Sequence, residues 1–359
     1  MRVCVYQAKP RLCMTSKEFE ERIEDVVGRM KEYHSPDLII FPECLGLWMC
    51  MMKPSSSLGE RCSVLLPKHS STARSIASLI DGDEDVDISE MISAAIQFSK
   101  PERMPIGPSS GDSLLGMIDG YESLSELSCS RGHLSSGWIE KVSSWVFDHL
   151  HLDMIGKMIR SKEQMSTYTK AFSNASSKYG VHIQAGSIFA LENGDLYNVA
   201  YAFDSSGRKV CEQKKINPIS FEGMLGVKAG TGADSFFVGD VRVGIAICAD
   251  VNFKDGHVKK LADMGCELIC CPSGGIVPSH LWKFDFERDI ASSHLSRSHE
   301  TGVIIARSYN AGDLVPMVLM FQGRSSVTGP SDMGENGLIA IVPEDRMMDE
   351  EFIVFDIKS

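Results

Sequence analysis

The first 43 residues alternate between two hydrophobic periodicities, and this alternation limits the folds that the chain can adopt. Residues 1–8 predict a strand. Thr15 and Glu18 then have the spacing of a capping box at a helix start. The apolar residues that follow recur at helical spacing: Phe19, Ile23, Val26, Val27 and Met30. Residues 37–41 form a short apolar strand that ends at a Pro-Glu pair. A strand, a helix and a second strand in this order build parallel strands, so we predict an α/β fold.

The amino-acid composition of the chain changes between about residues 54 and 160. Clusters of Ser, Gly, Pro and acidic residues separate short helical patterns there, so we predict a mainly helical or irregular insertion within one domain spanning residues 1–359. One apolar stripe at helical spacing stands out: Trp138, Val142, Trp145, Leu152, Ile155 and Ile159. The stripe has three interpretations: core packing on the main domain, a lid over an active site, or a helix resting on lipid.

Composition argues against several functional classes. A net charge of −12 disfavours a nucleic-acid binder and a surface that docks on anionic lipid. No leader opens the chain, so its eleven cysteines predict a cytoplasmic protein with free thiols. No CxxC pair occurs, and Cys266, Cys270 and Cys271 lie in a strand-like segment, so we predict no metal site. No apolar run approaches the ~20 residues of a membrane span.

A second apolar strand ends directly at a cysteine, in the run Gly244-Ile-Ala-Ile-Cys248-Ala-Asp250. A side chain at the carboxyl end of such a strand projects into the crevice above the sheet, where open α/β folds bind ligands. Cys248 is therefore a candidate nucleophile. Taken alone, the same residue has an ordinary interpretation as a small buried hydrophobe, because free cysteines are among the most buried side chains.

Three further residues carry the charges that a reactive thiol needs. Glu43 follows the apolar strand 37–41, and a carboxylate there is costly to bury unless it is paired. Lys215 and Glu222 belong to one loop-like segment, and each alone would be an ordinary surface charge. Lys214 precedes Lys215, and since neighbours in an extended segment face opposite sides, only one of the two lysines points inward.

The order of these motifs along the chain resembles the nitrilase superfamily of carbon–nitrogen hydrolases. The three motifs are an apolar strand followed by Pro-Glu, then Lys-Ile-x-Pro-x-x-x-Glu, then Gly-x-x-Ile-Cys-x-Asp. Further segments resemble the family's first strand, its G-x-x-Y-N-x-A hairpin, the segment after the nucleophile and the C-terminal strand motif: Val3–Gln7, Gly194–Ala200, Gly265–Pro272 and Phe321–Ser325 with Pro330. The resemblance covers residues 1–50 and 160–345, roughly two thirds of the chain.

The resemblance implies a fold and a set of roles. The expected fold is a four-layer α-β-β-α sandwich with two mixed six-stranded sheets, usually paired into a homodimer. Cys248 would be the nucleophile, Glu43 the general base, and Glu222 the carboxylate that orients Lys215. Lys215, which the Lys-Ile-x-Pro pattern favours over its neighbour, would stabilise the oxyanion together with the backbone N–H of Ala249. The expected partner is a small-molecule substrate, and no metal or organic cofactor is implied.

The chain departs from the family pattern directly after the nucleophile. Ala249 stands where an aromatic residue is usual, and Val251–Asp255 replaces the usual Arg-Phe-Pro-Glu-like continuation. Asp250 favours amide-type substrates over nitriles. We therefore expect hydrolysis of a small amide or carbamoyl compound through a covalent acyl-enzyme. The alternatives are hydrolysis of a nitrile, transfer of the acyl group to an amine, and an inactive scaffold or sensor that keeps the fold.

Overall fold

The computed structural model describes residues 1–11, 13, 15–49, 162–219, 222–223, 225–253, 256–278, 291–315, 319–321 and 323–357. The insertion predicted at about residues 54–160, with its apolar stripe, lies wholly outside the described residues.

Fifteen strands are described. In chain order they are β1 (Arg2–Gln7), β2 (Leu38–Ile40), β3 (His182–Glu192), β4 (Asp195–Phe203), β5 (Lys209–Lys214), β6 (Ser235–Val238), β7 (Val241–Ile245), β8 (Leu268–Ser273), β9 (Ile276–Pro278), β10 (Ile304–Tyr309), β11 (Gly312–Val315), β12 (Leu319–Phe321), β13 (Ser326–Thr328), β14 (Leu338–Ile341) and β15 (Glu351–Asp356).

The described helices connect these strands. They are α1 (Ser16–His34), α2 (Lys162–Tyr179), α3 (His257–Asp263) and α4 (Ser296–Thr301), with a π-helical turn at Ala291–Leu295 and 3-10 turns at Leu45–Met49, Cys248–Val251 and Glu344–Arg346. Helix α1 begins as its sequence predicts, because the Thr15 side chain accepts a hydrogen bond from the Glu18 N–H at 3.2 Å. No helix in these ranges is both long enough and apolar enough to cross a bilayer.

Two mixed six-stranded sheets form the body of the protein. Sheet I has the strand order β15-β1-β2-β3-β4-β5, and sheet II has the order β14-β13-β10-β8-β7-β6. The central strands β1, β2 and β3 of sheet I are parallel, as are β7, β8 and β10 of sheet II, and the outer pairs are antiparallel. A small third sheet, β11-β12-β9, was not predicted from the sequence.

Three apolar clusters show how the layers stack. The cluster between the two sheets contains Val3, Val5, Leu38, Ile40, Val243, Ile245, Leu268 and Ala306. The cluster outside sheet I joins it to α1 and α2, and contains Cys4, Phe19, Ile23, Ile39 and Phe172. The cluster outside sheet II joins it to α3, and contains Val258, Leu261, Ile269 and Ile305. Because side chains along a strand alternate between faces, each sheet serves two of these clusters, and the expected four-layer sandwich is confirmed.

Hairpins join several neighbouring antiparallel strands, whereas the last strand crosses to the other sheet. Asn193 and Gly194 have φ of 51° and 92°, and they form the tight hairpin between β3 and β4. Strands β13 and β14 form an antiparallel hairpin. Strand β15 does not extend that hairpin; it crosses to sheet I and pairs antiparallel with β1, from Arg2 opposite Asp356 to Gln7 opposite Glu351.

Candidate active site

Glu43 lies where the chain leaves β2 and approaches sheet II. Phe41 continues the pairing with β3, because its N–H donates to the Gln184 carbonyl at 2.9 Å. Two residues later the Glu43 N–H donates to the Ser273 carbonyl of β8 at 3.4 Å, and the Asn310 side-chain amide donates to the Glu43 carbonyl at 2.6 Å. The backbone of this glutamate is thus held by β8 and by the residue that follows β10, and only 2% of the residue is exposed.

The turn around Glu43 depends on unusual backbone geometry. Gly186 of β3 has φ of 73°, and a Cβ built there would lie 2.0 Å from the Pro42 carbonyl oxygen, so only glycine fits at this close approach. Cys44 follows with φ of 60°, which is uncommon for a residue with a side chain. Its N–H donates to the Ser187 hydroxyl at 3.1 Å. These contacts direct the Glu43 side chain toward the space between the carboxyl ends of the sheets.

Lys215, and not Lys214, points into this space. The Lys215 N–H donates to the Asn198 carbonyl at 2.8 Å, and the Gly230 N–H donates to the Lys215 carbonyl at 2.7 Å, so the residue is held in an extended segment beyond β5. Its side chain is 1% exposed. Lys214 faces the opposite side, where it pairs with Glu192 at 2.6 Å and remains 28% exposed. Because neighbouring side chains of an extended chain face opposite sides, only one of the two lysines points inward, and it is Lys215.

A network of two carboxylates, one ammonium and one amide forms the centre of the site. Lys215 Nζ lies 2.6 Å from Glu43 Oε1 and 2.8 Å from Glu222 Oε2. The side-chain amide of Asn198 also donates to both acids, at 2.9 Å to Glu43 Oε1 and 2.6 Å to Glu222 Oε1. The Ile219 N–H donates to Glu222 Oε2 at 2.8 Å. Burying two acids is costly unless each is paired, and here each accepts at least two hydrogen bonds.

Cys248 enters the same centre from sheet II. Strand β7 continues past its last residue, since the Ala246 N–H donates to the Cys270 carbonyl at 3.0 Å, and the chain then turns sharply into the 3-10 turn that begins at Cys248. Cys248 has φ of 47°, in the left-handed backbone region that residues other than glycine rarely adopt. The charges of Glu43 and Lys215 both act on its thiol and shift the pKa of that thiol in opposite directions, and the residue is partly exposed. The N–H of Ala249 follows immediately on this turn.

Asp250 joins the turn at Cys248 to the loop after Lys215. Its carboxylate accepts hydrogen bonds from the Ile216 N–H at 3.1 Å and from the Asn217 N–H at 2.7 Å. It also accepts from the Asn217 side-chain amide at 3.1 Å and from the Ile247 N–H at 3.2 Å. The sequence analysis used Asp250 as an indicator of substrate type. In the structure its carboxylate is 0% exposed and fixes the spacing of two segments of the site.

Burial and mutual charge shift the protonation of these groups. Burial raises the pKa of Glu43 above its usual value and the charge of Glu222 raises it further, while Lys215 and the thiol of Cys248 oppose the rise. The two carboxylates and the nearby sulfur keep the pKa of Lys215 well above normal, although burial acts to lower it. Burial and the charge of Glu43 raise the pKa of Cys248. The resting site therefore holds a thiol beside a carboxylate that attracts its proton.

The structure brings together all four side chains that the sequence singled out, from segments up to 205 residues apart, as Glu43 and Cys248 show. Sequence reasoning did not assign Asn198 or Asn310 to the site. The signal for Asn198 was present, because this residue is the asparagine of the G-x-x-Y-N-x-A hairpin. Asn310 had no such signal, since its role depends on the approach of the two sheets. Among the described residues no cluster of three or more His, Cys, Asp or Glu could hold a metal ion.

Comparison with known proteins identifies the class of the chain. The family model for carbon-nitrogen hydrolases matches residues 145–331, which is just over half of the sequence and includes three of the four central side chains, Lys215, Glu222 and Cys248. The chain belongs to the carbon-nitrogen hydrolase family.

Individual relatives match over shorter stretches. The chain is 32% identical over 114 residues to the probable hydrolase YhcX of Bacillus subtilis (strain 168), which covers 32% of this chain and 22% of that protein. It is 32% identical over 93 residues to the 2-oxoglutaramate amidase of Bacillus subtilis (strain 168), which covers 26% of this chain and 36% of that protein. The chain thus spans well under half the length of these two relatives.

The fold has solved counterparts. An amidase from Nesterenkonia sp. AN1 is similar over 100% of this chain and 93% of its own, with a TM-score of 0.57 and 14% sequence identity. At that identity the likeness shows a shared fold, which agrees with the paired six-stranded sheets described above.

Proposed function

We propose that this protein is an amidase-type hydrolase that cleaves a non-peptide carbon–nitrogen bond of a small amide or carbamoyl compound through a covalent acyl-enzyme. The observation that carries the proposal is the position of Lys215 Nζ, 2.6 Å from the buried carboxylate of Glu43 and 2.8 Å from that of Glu222. Burial and the charge of Glu43 also raise the pKa of the Cys248 thiol. A nucleophile, a base and a fixed cation around one point are the groups that acyl transfer requires.

The first step is attack by sulfur. Glu43 takes the thiol proton of Cys248, and the sulfur forms a bond to the carbonyl carbon of the substrate while the carbonyl π electrons move onto oxygen. The raised pKa of Glu43 suits this role, because a base is most effective when its pKa lies near the working pH. Without that proton transfer the thiol would remain protonated, since burial raises its own pKa.

The oxyanion formed in this step needs donors that are already in place. An ammonium group has three N–H bonds, and two of those of Lys215 are directed at Glu43 and Glu222. We assign the third to the oxyanion, together with the backbone N–H of Ala249 at the start of the 3-10 turn. The role of Glu222 is to hold the ammonium in this orientation. In acyl-transfer enzymes, removing one oxyanion donor costs about 3 kcal/mol of barrier.

The remaining steps reuse the same groups. The tetrahedral intermediate collapses, the carbon–nitrogen bond breaks, and the leaving nitrogen takes the proton from Glu43, which gives ammonia or an amine and a thioester on Cys248. Glu43 then removes a proton from water, the hydroxide attacks the thioester, and the carboxylic or carbamic product leaves as the thiol regains its proton. The chain needs no external oxidant or reductant for this sequence.

The relatives favour amides over nitriles. One matched protein is a 2-oxoglutaramate amidase, and structures of the Nesterenkonia amidase carry acrylamide or the acetamide moiety of fluoroacetamide joined covalently to an active-site cysteine. We also propose a reducing, cytoplasmic setting, in which a nucleophilic thiol stays free. The cysteines of the described ranges are all free thiols in the structure.

The test measures ammonia release from three panels: small primary amides, N-carbamoyl compounds and nitriles. We expect turnover in the amide or carbamoyl panel, and loss of turnover in Cys248→Ala and Glu43→Gln. Cys211→Ala is the matched control, because Cys211 is a buried thiol of β5 that lies in the apolar cluster between the two sheets. Normal rates in Cys248→Ala would refute the covalent mechanism, and turnover confined to nitriles would replace amidase with nitrilase.

A chemical probe separates an enzyme from an inactive scaffold. After incubation with fluoroacetamide, mass spectrometry of peptides should place the adduct on Cys248, and Glu43→Gln should slow its formation. Label found at other cysteines but never at Cys248, together with no turnover in any panel, would favour the scaffold interpretation.

A further inference from the structure

Asn198 lies inside strand β4, whereas the four central side chains of the site lie outside the strands. On one side Asn198 pairs with Phe189 of β3, and on the other its carbonyl accepts the Lys215 N–H at 2.8 Å. Val199 packs outside sheet I and Ala200 packs between the sheets, so alternation directs the Asn198 side chain between the sheets. The residue is 1% exposed. A regular strand therefore holds this amide at a fixed place in the site.

The side-chain amide of Asn198 bridges the two acids. Its Nδ2 lies 2.9 Å from Glu43 Oε1 and 2.6 Å from Glu222 Oε1. Since both neighbours are acceptors, the NH2 end of the amide, and not its oxygen, faces them. Asn198 Oδ1 is buried and has no hydrogen-bond partner among the described residues. An unpaired buried acceptor costs stability, so packing alone would not select this arrangement.

The two oxygens of the Glu43 carboxylate have different surroundings. Lys215 Nζ and Asn198 Nδ2 both contact Oε1, at 2.6 Å and 2.9 Å. Oε2 lies on the side of Gly274, where a Cβ would come within 3.4 Å of it. Gly274 follows β8, which runs parallel to β7, and the chain beyond β7 leads to Cys248. Oε2 therefore faces the edge of sheet II at which the nucleophile lies.

We propose that Asn198 is a positioning residue for the base: with Lys215 it engages Oε1 of Glu43, and so leaves Oε2 as the oxygen that takes the proton of the Cys248 thiol. Through its second N–H bond the same amide holds Glu222 at a fixed distance from Glu43. The proposal rests on the proposed function, in which Glu43 is the general base.

The charges around Glu43 determine what the loss of this amide would do. Ionisable groups from several elements act on the carboxylate or are acted on by it: Cys44 after β2, Lys215 and Glu222 after β5, Cys248 after β7 and Cys271 of β8. Burial and the charge of Glu222 raise the pKa of Glu43, and Lys215 opposes the rise. Hydrogen bonds to a carboxylate favour its ionised form, so removing the amide should raise the pKa of Glu43 further.

The test is the pH profile of kcat/KM for Asn198→Leu, measured with the fastest substrate of the three panels. Leu keeps the approximate size of the side chain but removes both donors. Because the base has to be ionised, we expect the acid limb of the profile to move upward by about one pH unit, which lowers kcat/KM about tenfold on that limb. Asn198→Asp keeps the shape and replaces the donors by acceptor oxygens, so its acid limb should move upward as well.

Asn310→Leu is the matched control. Asn310 is also a buried asparagine that contacts Glu43, but its amide donates to the backbone carbonyl at 2.6 Å and not to the carboxylate. We expect its acid limb to stay at the pH of the wild type, whatever the height of the plateau. Acid limbs of Asn198→Leu and Asn198→Asp that superimpose on that of the wild type would overturn the proposal, and so would an Asn310→Leu limb that moves as far as theirs.

A second measurement does not depend on turnover. If the wild type is inactive on every amide, carbamoyl compound and nitrile, the proposed function is refuted, and the melting temperature still shows whether Asn198 acts on the charge of Glu43. A pKa of Glu43 raised further above its unfolded value makes stability fall as pH rises. The loss of melting temperature in Asn198→Leu should therefore be larger at about pH 8 than at about pH 5, by about 2 °C.

An equal loss of melting temperature at both pH values would assign Asn198 to packing and overturn its role toward the base. If circular dichroism shows that one of the two Asn198 variants does not fold, the other carries the same expectation. Failure of both to fold at either pH would assign the residue to the fold, which also overturns the proposal.

Discussion

Removing the ammonium of Lys215 should leave two acids facing each other in a buried site. Glu43 and Glu222 have side chains 2% and 3% exposed, and the Lys215 ammonium bonded to both is 1% exposed. Deleting one partner of a buried, hydrogen-bonded ion pair costs about 3–5 kcal/mol of stability, because the remaining charge is not compensated. We therefore expect Lys215→Met to lower the free energy of unfolding by about 3–5 kcal/mol near pH 8.

The pH dependence of this loss distinguishes charge repulsion from lost packing. Without the ammonium, burial and the charge of Glu222 raise the pKa of Glu43 further above its unfolded value, so the folded variant takes up a proton that the unfolded chain does not hold. The destabilisation is then smallest near the unfolded pKa and grows as pH rises through the folded pKa. Its limiting slope is about 1.4 kcal/mol per pH unit for one proton.

Urea denaturation followed by circular dichroism at about pH 5 and about pH 8 measures the effect. Lys214→Met is the matched control, because its pair with Glu192 is 28% and 33% exposed and should contribute less than about 1 kcal/mol. Adding Glu222→Gln to Lys215→Met should recover part of the loss near pH 8, since one of the two opposed charges is gone. Equal destabilisation at both pH values, with no recovery in the double variant, would refute the reasoning.

Three further substitutions probe the same centre. Glu222→Gln removes a charge that raises the pKa of Glu43, so the acid limb of the kcat/KM profile should move to lower pH while the plateau falls; an unmoved limb would contradict the assignment of Glu43 as the base. Asp250→Asn replaces an acceptor of backbone N–H groups by a group that also donates. We expect it to lower kcat/KM about tenfold or more and the free energy of unfolding by about 1–3 kcal/mol. Unchanged kinetics would show that catalysis does not need the link between the two segments. Gly186→Ala would place a Cβ 2.0 Å from the Pro42 carbonyl oxygen, and it should lower the free energy of unfolding by at least about 1–3 kcal/mol in thermal denaturation. Gly194→Ala has open space around the new Cβ and should lower that free energy by less.

The parts of the site that could be predicted are those that local sequence determines. An apolar strand followed by Pro-Glu, or by Cys and a turn, places a side chain at a strand end whatever the rest of the chain does. Glu43 and Cys248 were identified on this ground, and family resemblance added Lys215 and Glu222. Alternation in an extended segment predicted that only one of Lys214 and Lys215 points inward, and the Lys-Ile-x-Pro pattern favoured Lys215.

The parts that could not be predicted depend on contacts between distant segments. The amide of Asn198 bridges two acids that belong to different loops, and the carboxylate of Asp250 holds a loop 33 residues before it. Arg307 is the one charge in an apolar strand pattern, and its contacts with Ser273 of β8 and His294 of the π-helical turn depend on the packing of distant segments. The third sheet, β11-β12-β9, arises from three short segments without a period of their own.

The pairing of β15 with β1 has a consequence for how the molecule is made. Residues 351–356 cover the β1 edge of sheet I, so that edge stays open until β15 has been synthesised, long after β1. Until then β1, whose residues Val3 to Gln7 are fully buried in the native state, presents unpaired backbone groups to other nascent chains. Pairing over so large a sequence separation is slow to form. We expect C-terminal truncations that remove β15 to aggregate during synthesis, with growing dependence on chaperones.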